Sequence, residues 1–192
     1  MKIRSTYSIR YVLNRNGWII SQAGDALTKK ISEAKCRNYF KIGLFKKVYP
    51  KYNPLELTGC EMKDLREMQY TGDLNEHFIN VLSVQLGLNE KQIFKLPYIH
   101  AMQVYLQTTQ TASKIFAKFN GLDFPMTAEE REAQYPRNSL GLFDLVRSFC
   151  KLMPMYTIKD AWCLDWELVF TELEANRAEI LTQRQLTKIK SK

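Results

Sequence analysis

The chain has 192 residues, of which 45% are hydrophobic and 25% are charged. This length and composition are typical of one globular domain, or one domain with an appendage, and argue against full-chain disorder. The net charge of +8 is unevenly spread. Residues 1–52 hold 12 Lys and Arg against two acidic residues, a net charge of +10, whereas residues 53–192 hold 16 against 18. The sequence therefore describes a near-neutral body with a basic arm.

The start of the chain lacks the pattern of a targeting or membrane segment. Residues 1–13 carry Lys2, Arg4 and Arg10 and never form a continuous apolar run, so we expect neither a secretory signal nor a spanning helix there. No other window is apolar for the length of a membrane span. We therefore expect a cytoplasmic protein that does not contact a membrane.

The four cysteines do not form a metal-binding pattern, and although their spacing allows disulfides, the lack of an export signal argues against them. They are Cys36, Cys60, Cys150 and Cys163. No CxxC pair occurs, and the chain has only two histidines, so a zinc site would need ligands from distant elements. We expect buried reduced thiols.

The first twenty residues alternate loosely between apolar and polar side chains. Asn16 and Gly17 stand between two apolar runs, which is a hairpin signal. Two strands alone are only marginally stable in water, so such a ribbon would lie on the body or on a partner. The sequence thus predicts a small β-hairpin centred on Asn16 and Gly17.

A helix is predicted to follow the hairpin and to complete the arm. Asp25 can cap this helix, which carries a basic outward side and ends near Tyr39 or at Gly43. Its apolar positions are Leu27, Ile31, Ala34 and Cys36.

A linker is predicted over residues 50–58. Pro50 and Pro54 break regular structure there, and the charge pattern changes at the same place. The predicted domains are therefore an arm of residues 1–52 and a body of residues 53–192.

The body has the periodicity of helices. Capping patterns open helices at Asp73, Asn89, Thr127 and Thr157, while Gly87 and Pro154 end two of them. The predicted helices cover about residues 62–68, 73–86, 89–93, 97–119, 127–132, 139–150 and one long helix from 157 to near the end. The sequence predicts an all-α fold, a compact bundle of five to seven helices with a basic N-terminal arm that can contain a small β-hairpin.

No catalytic pattern stands out. Carboxylates cluster around the last helix, but a solvated helix face explains them better than a divalent-ion site, because nothing indicates that they are buried. They are Asp160, Asp165, Glu167, Glu172 and Glu174. His77 and His100 adjoin no nucleophile motif, and no glycine-rich loop could hold a phosphate. We expect no enzyme activity, no metal and no cofactor.

Two tryptophans are candidates for a second contact with a partner. Trp162 and Trp166 are four residues apart and would share one helical face. They could form a partner-binding ridge, and core packing explains them as well.

The arm carries the main candidate site, a mixture of cations and aromatic rings. We predict that its partner-binding residues are Lys29, Lys30, Lys35, Arg37, Tyr39, Phe40, Lys41, Phe45, Lys46, Lys47, Tyr49 and Lys51. Nucleic-acid binders use such cations for phosphates and rings for bases. An arm that docks onto an acidic protein surface uses them for steering and anchoring. The same residues could also form a solvated helix face with no partner.

The helical part of the chain resembles small proteins encoded among the tail and head genes of tailed bacteriophages. The residues that carry this resemblance are the short acid-capped helices of residues 65–97, which end in Gln92-Ile93-Phe94-Lys95-Leu96-Pro97, and the closing helix from Asp160 to Arg177. Those proteins include tail assembly chaperones and small connector or baseplate components. The resemblance implies a protein without catalysis that escorts tail components or occupies a fixed place in a particle, in the host cytoplasm or the virion.

The first hypothesis from the sequence is thus a non-enzymatic assembly or structural protein that docks onto other protein subunits through its arm. The alternative is a nucleic-acid-binding protein that uses the same residues.

Overall fold

The computed structural model describes residues 8–16, 31, 39–42, 46–70, 72–122 and 141–190. Over these residues the fold is mostly helical, with one small antiparallel sheet, as the sequence predicts. The helices are α1 Ile9–Asn16, α2 Met62–Glu67, α3 Leu74–Leu86, α4 Glu90–Ile93, α5 Tyr98–Asn120, α6 Leu142–Leu152, α7 Ile158–Trp162 and α8 Trp166–Lys190. The strands are β1 Phe40–Ile42 and β2 Lys46–Val48.

The hairpin predicted around Asn16 and Gly17 is wrong in position, because Ile9–Asn16 is helix α1. Ile9 and Val12 are both fully buried, and their spacing of three residues puts them on one helical face. The first amide of the helix, Ile9 N, donates to Leu96 O at 3.0 Å. Contacts with a distant segment therefore decide the structure here, where the local alternation favoured a strand.

The arm does contain a hairpin, formed by β1 and β2. Phe40 pairs with Val48, Lys41 with Lys47 and Ile42 with Lys46. The helix predicted from Asp25 to Tyr39 lies outside the described residues, except that Ile31 is helical.

The predicted caps of the body helices are confirmed where the structure describes them. Asp73 accepts hydrogen bonds from the first amides of α3, and Gly87 ends that helix in the left-handed conformation, at φ 61°. Asn89 with Gln92, and Thr157 with Asp160, form complete capping boxes. The helix predicted over residues 127–132 lies outside the described residues.

The prediction of one long helix from residue 157 is wrong, because the helical structure is interrupted between α7 and α8. At the break, Trp166 N donates to Cys60 O at 3.0 Å, and Leu164 O accepts from Met62 N at 2.9 Å. A continuous helix would use these backbone groups internally. Pairing with residues 60–62 therefore replaces one helical turn, and no local signal in residues 157–190 reveals that distant partner.

By contacts the chain divides into two compact units. Unit 1 comprises Met1–Thr58 and Asp64–Ser113, and unit 2 comprises Gly59–Lys63 and Lys114–Lys192. The core of unit 1 is built on the apolar faces of α3 and α5, and that of unit 2 on the apolar faces of α6 and α8. This division differs from the predicted arm and body, and a separable arm of residues 1–52 stays a prediction.

Candidate functional site

The hairpin of the arm brings four of the predicted partner-binding residues onto one face. Side chains alternate between the two faces of a strand. Phe40 and its partner Val48 are buried, so the residues before and after each of them along the chain lie on the opposite face. We call this surface the outer face, and it consists of Tyr39, Lys41, Lys47 and Tyr49.

The outer face combines two ammonium groups with two phenol rings at close range. The ring centroids of Tyr39 and Tyr49 are 5.8 Å apart, with their planes 45° to each other. The Lys47 Nζ lies 4.9 Å from the centroid of the Tyr39 ring. Lys41 and Lys47 are exposed, as is Tyr49 with 58% of its surface.

The two lysines of the outer face oppose each other directly across the strands. Like charges at such a position destabilise a hairpin. The Tyr39 ring under the Lys47 ammonium offsets part of this cost, because the face of an aromatic ring attracts a cation. The remaining repulsion would be relieved by an anionic group placed between the two lysines.

The outer face offers positive charge and hydrogen-bond donors. Lysine offers only hydrogen-bond donors, and a tyrosine hydroxyl can donate to an oxygen acceptor. Carboxylate and phosphate oxygens are the acceptors that form charge-assisted hydrogen bonds with such groups. These groups are chemically complementary to carboxylates and phosphates, while the rings supply contact area.

No protein-family model, curated protein or solved structure matches this chain significantly. The resemblance to small helical phage proteins therefore stays a prediction, and no functional residue is carried over from a relative. What the chain binds has to be inferred from its own contacts and charges.

Two of the predicted partner-binding residues, Phe40 and Lys51, have roles within unit 1. Phe40 is only 1% exposed, so it anchors the hairpin to the core of unit 1. Lys51 Nζ donates to Asp64 Oδ2 at 2.6 Å, and the Tyr52 hydroxyl donates to the same oxygen at 2.6 Å. Partial burial disfavours the charge on Lys51, but the hydrogen bonds and charge interactions with Asp64 and Tyr52 together outweigh this effect and raise the pKa of Lys51. Lys51 thus forms an ion pair within unit 1.

Six of the predicted residues stay untested by the geometry. Lys29, Lys30, Lys35, Arg37 and Phe45 lie outside the described residues. Lys46 belongs to β2, but its side chain is outside the described part of the chain.

The tryptophan pair is divided by the break between α7 and α8. Trp166 is 5% exposed and packs edge-on against Phe119, with Lys118 Nζ 5.2 Å from its ring centroid. It therefore has the core role that the sequence also allowed. Trp162 is half-buried at the end of α7. A partner contact at this pair stays a prediction, and Trp162 is the more exposed of the two residues.

Two buried glutamines that the sequence analysis did not single out fasten the arm within unit 1. Gln85 Oε1 accepts from Tyr52 N at 3.2 Å, and Gln85 Nε2 donates to Thr108 at 3.0 Å. Gln103 Nε2 donates to Ile31 O at 2.6 Å. Each glutamine lies in the apolar stripe of its helix, and this position could have indicated a buried amide that needs hydrogen-bond partners. These bonds hold the segments on both sides of the hairpin.

Two of the titratable residues considered from the sequence, His77 and Asp160, form hydrogen bonds within the fold. His77 is buried, with Nε2 2.8 Å from Met68 O and Nδ1 3.1 Å from the Tyr105 hydroxyl. The Asp160 carboxylate accepts hydrogen bonds from the hydroxyl and the backbone N–H of Thr157, which lower the pKa of that carboxyl. Over the described residues, no group of three or more His, Cys, Asp or Glu is arranged to hold a metal ion. None of the helices in this part of the chain combines the length and apolarity needed to cross a membrane.

Proposed function

We propose that this chain is a non-enzymatic assembly or structural protein that docks onto other protein subunits through the outer face of its N-terminal arm. Its setting is a multi-chain particle such as a bacteriophage tail or head-tail structure, in the host cytoplasm or in the virion. The observation that carries the proposal is the arrangement of Tyr39, Lys41, Lys47 and Tyr49 on one exposed side of the hairpin.

The energetics of the hairpin support a docking role. Each strand has three residues, and a two-stranded sheet of this size gains little stability by itself. Two lysines that oppose each other lower that stability further. An anionic partner would neutralise this pair and be oriented by it, since surface electrostatics steer and orient association.

The way in which the hairpin is held also suits docking. Phe40 and Val48 are buried in unit 1, and the chain immediately after the hairpin is fixed by the bonds to Asp64 and Gln85. Rigid attachment reduces the entropy that binding would otherwise cost. Tyrosine adds contact area at a low cost in conformational entropy.

The direct test is the native mass of the assembly in an extract of cells that naturally make the protein. The variant is Lys41→Glu with Lys47→Glu, and the control is Lys91→Glu with Lys95→Glu, which makes the same charge change at exposed lysines elsewhere in unit 1. We expect the natural chain and the control to migrate in an assembly much larger than 22.5 kDa. The outer-face variant should migrate as a free chain. A natural chain that is already free in the extract, or an outer-face variant that stays assembled, would contradict the proposal.

Nucleic-acid binding is the second candidate function, favoured by the net charge of +10 over residues 1–52 and by the exposed ring of Tyr49. It predicts an affinity for single-stranded or duplex DNA that falls steeply with salt, with a log–log slope of about −0.9 per neutralised duplex phosphate. Fluorescence anisotropy at about 50 and 200 mM salt measures this slope. Tight, salt-dependent binding that the outer-face variant loses would place this candidate first.

A further inference from the structure

We infer that the outer face of the hairpin takes an extended acidic protein segment with carboxylates at alternate residues. This inference rests on the proposed function and names the class of partner. It depends on the spacing of the donors, on the ring face that Lys47 covers, and on the direction of charge complementarity.

The spacing of the donors matches an extended chain. On each side of the hairpin one lysine and one tyrosine are two residues apart, Tyr39 with Lys41 and Lys47 with Tyr49, and each tyrosine lies next to the end of its strand. Residues two apart in a strand are about 6.8 Å apart and lie on the same face. A partner segment in the same extended conformation repeats its side chains at the same distance. Carboxylates at alternate positions would therefore meet an ammonium and a hydroxyl in turn.

The covered ring face of Tyr39 favours a peptide over a stacked base at this ring. Base stacking requires an open ring face. The Lys47 ammonium lies over the Tyr39 ring at 4.9 Å, and the Tyr49 ring is tilted by 45° against it. The covered face of Tyr39 is therefore not open to a base. Hydroxyl groups, ring edges and ammonium groups suit carboxylates with small side chains between them.

Charge complementarity sets the sign of the partner. Both charged residues of the outer face are lysines, and they oppose each other directly. A carboxylate placed near both would turn an unfavourable pair into two favourable ones. Because these lysines are exposed, each new ion pair contributes only modestly, and recognition requires several carboxylates at the correct repeat.

The test uses the full-length chain and synthetic peptides of about twelve residues, long enough to cover both strands. The probe alternates glutamate and threonine. Its control has the same composition in Glu-Glu-Thr-Thr repeats, so that carboxylates on one face are four residues apart rather than two. Backbone amide chemical shifts in NMR report where each peptide binds, and titration gives the affinity. A single-stranded oligothymidylate of about twelve nucleotides is the third ligand.

We expect the alternating peptide to shift the signals of residues 39–41 and 47–49 and to bind about fivefold more tightly than the control peptide. Lys41→Glu with Lys47→Glu should weaken this binding at least about tenfold, and Lys91→Glu with Lys95→Glu should change it less than about twofold. Three results would overturn the inference. They are no shift at the hairpin with about 1 mM alternating peptide, equal affinity for the two peptides, and tighter binding of the oligonucleotide that the outer-face variant abolishes.

The inference and the proposed function can fail separately. If the peptides do not bind but the outer-face variant still leaves the native assembly, docking stands and the acidic-segment partner is wrong. If the alternating peptide binds as expected but the variant stays assembled, the binding preference is correct and the docking role is wrong.

Discussion

At the scale of single residues, the arm depends on a few polar side chains that hold it in unit 1. Asp64 accepts from both Lys51 and Tyr52 at 2.6 Å. Gln85 and Gln103 bind backbone groups of the arm from buried positions. Such bonds add modestly when made but are costly when one partner is lost, because the other is left unsatisfied. These residues therefore determine how firmly the hairpin is attached to the rest of unit 1.

The first prediction concerns Asp64. Replacing Asp64 with Ala should lower the free energy of unfolding by about 1–3 kcal/mol, because it leaves the partly buried Tyr52 hydroxyl without this acceptor. The exposed Lys51 accounts for only a small part of this loss. Urea unfolding monitored by circular dichroism measures the change. Glu67→Ala, at an exposed position of the same helix, should alter stability by less than about 0.5 kcal/mol. Equal effects of the two substitutions would show that Asp64 has no special role.

The second prediction concerns the alkaline stability of unit 1. Burial raises the pKa of Tyr98 to about 12, because it penalises the charged phenolate. Its ordinary value is 10.0, so between these values the unfolded chain loses a proton that the folded chain keeps. The contribution of protonated Tyr98 to the free energy of unfolding is complete below pH 10 and is lost as the pH rises toward 12. From pH 9 to pH 11, the free energy of unfolding should therefore fall by about 1 kcal/mol less in the Tyr98→Phe variant than in the natural chain. The same pH dependence in both proteins would contradict this assignment.

At the scale of elements, the sequence predicts helices with local signals well and elements with distant partners poorly. The caps at Asp73, Asn89 and Thr157 are confirmed because their hydrogen bonds lie within one turn. Helix α1 was missed because its first two amides donate to Leu96 and Phe94, which lie far along the chain. The break before Trp166 was missed for the same reason, since its backbone groups pair with residues 60–62. Local patterns contain no information about such partners.

The candidate site was predictable in composition but not in geometry. The charge and aromatic content of the arm indicated an interaction surface, and the structure brings Tyr39, Lys41, Lys47 and Tyr49 together. The pairing register decides which arm residues share a face, and no turn motif in the sequence indicated it. Phe40 was therefore predicted as an anchor for a partner, whereas its side chain is buried.

The third prediction is that one substitution in the hairpin raises the stability of the chain and weakens its docking. Lys41→Glu alone converts a cross-strand pair of like charges into an ion pair. The free energy of unfolding should rise by about 0.5 kcal/mol, since cross-strand charge pairs contribute on this scale. Docking onto an acidic partner should weaken in the same variant. Urea unfolding measures the first effect, and the native mass of the assembly measures the second. A variant that is both less stable and fully assembled would contradict the function assigned to the outer face.

At the scale of the whole molecule, the chain separates its charge along the sequence while integrating the arm into a folded unit. The arm has a net charge of +10 and the remainder is near neutral. Ile9, Val12, Phe40 and Val48 of the arm are nevertheless buried. A truncated chain that starts at Asn53 would lose these core residues, so removal of the arm would disturb stability together with docking. Substitutions on the outer face separate the two effects, because they leave the buried residues unchanged.

The most direct test of the docking account is photo-crosslinking from the outer face in the native assembly. A photoreactive phenylalanine analogue replaces Tyr49, 58% exposed, or as a control Tyr70, 54% exposed and elsewhere in unit 1. We expect a discrete covalent adduct with another protein chain from position 49, none from position 70, and loss of the adduct when Lys41→Glu and Lys47→Glu are added. Equal adducts from both positions, or an adduct from position 49 that survives the charge reversal, would contradict docking through the outer face.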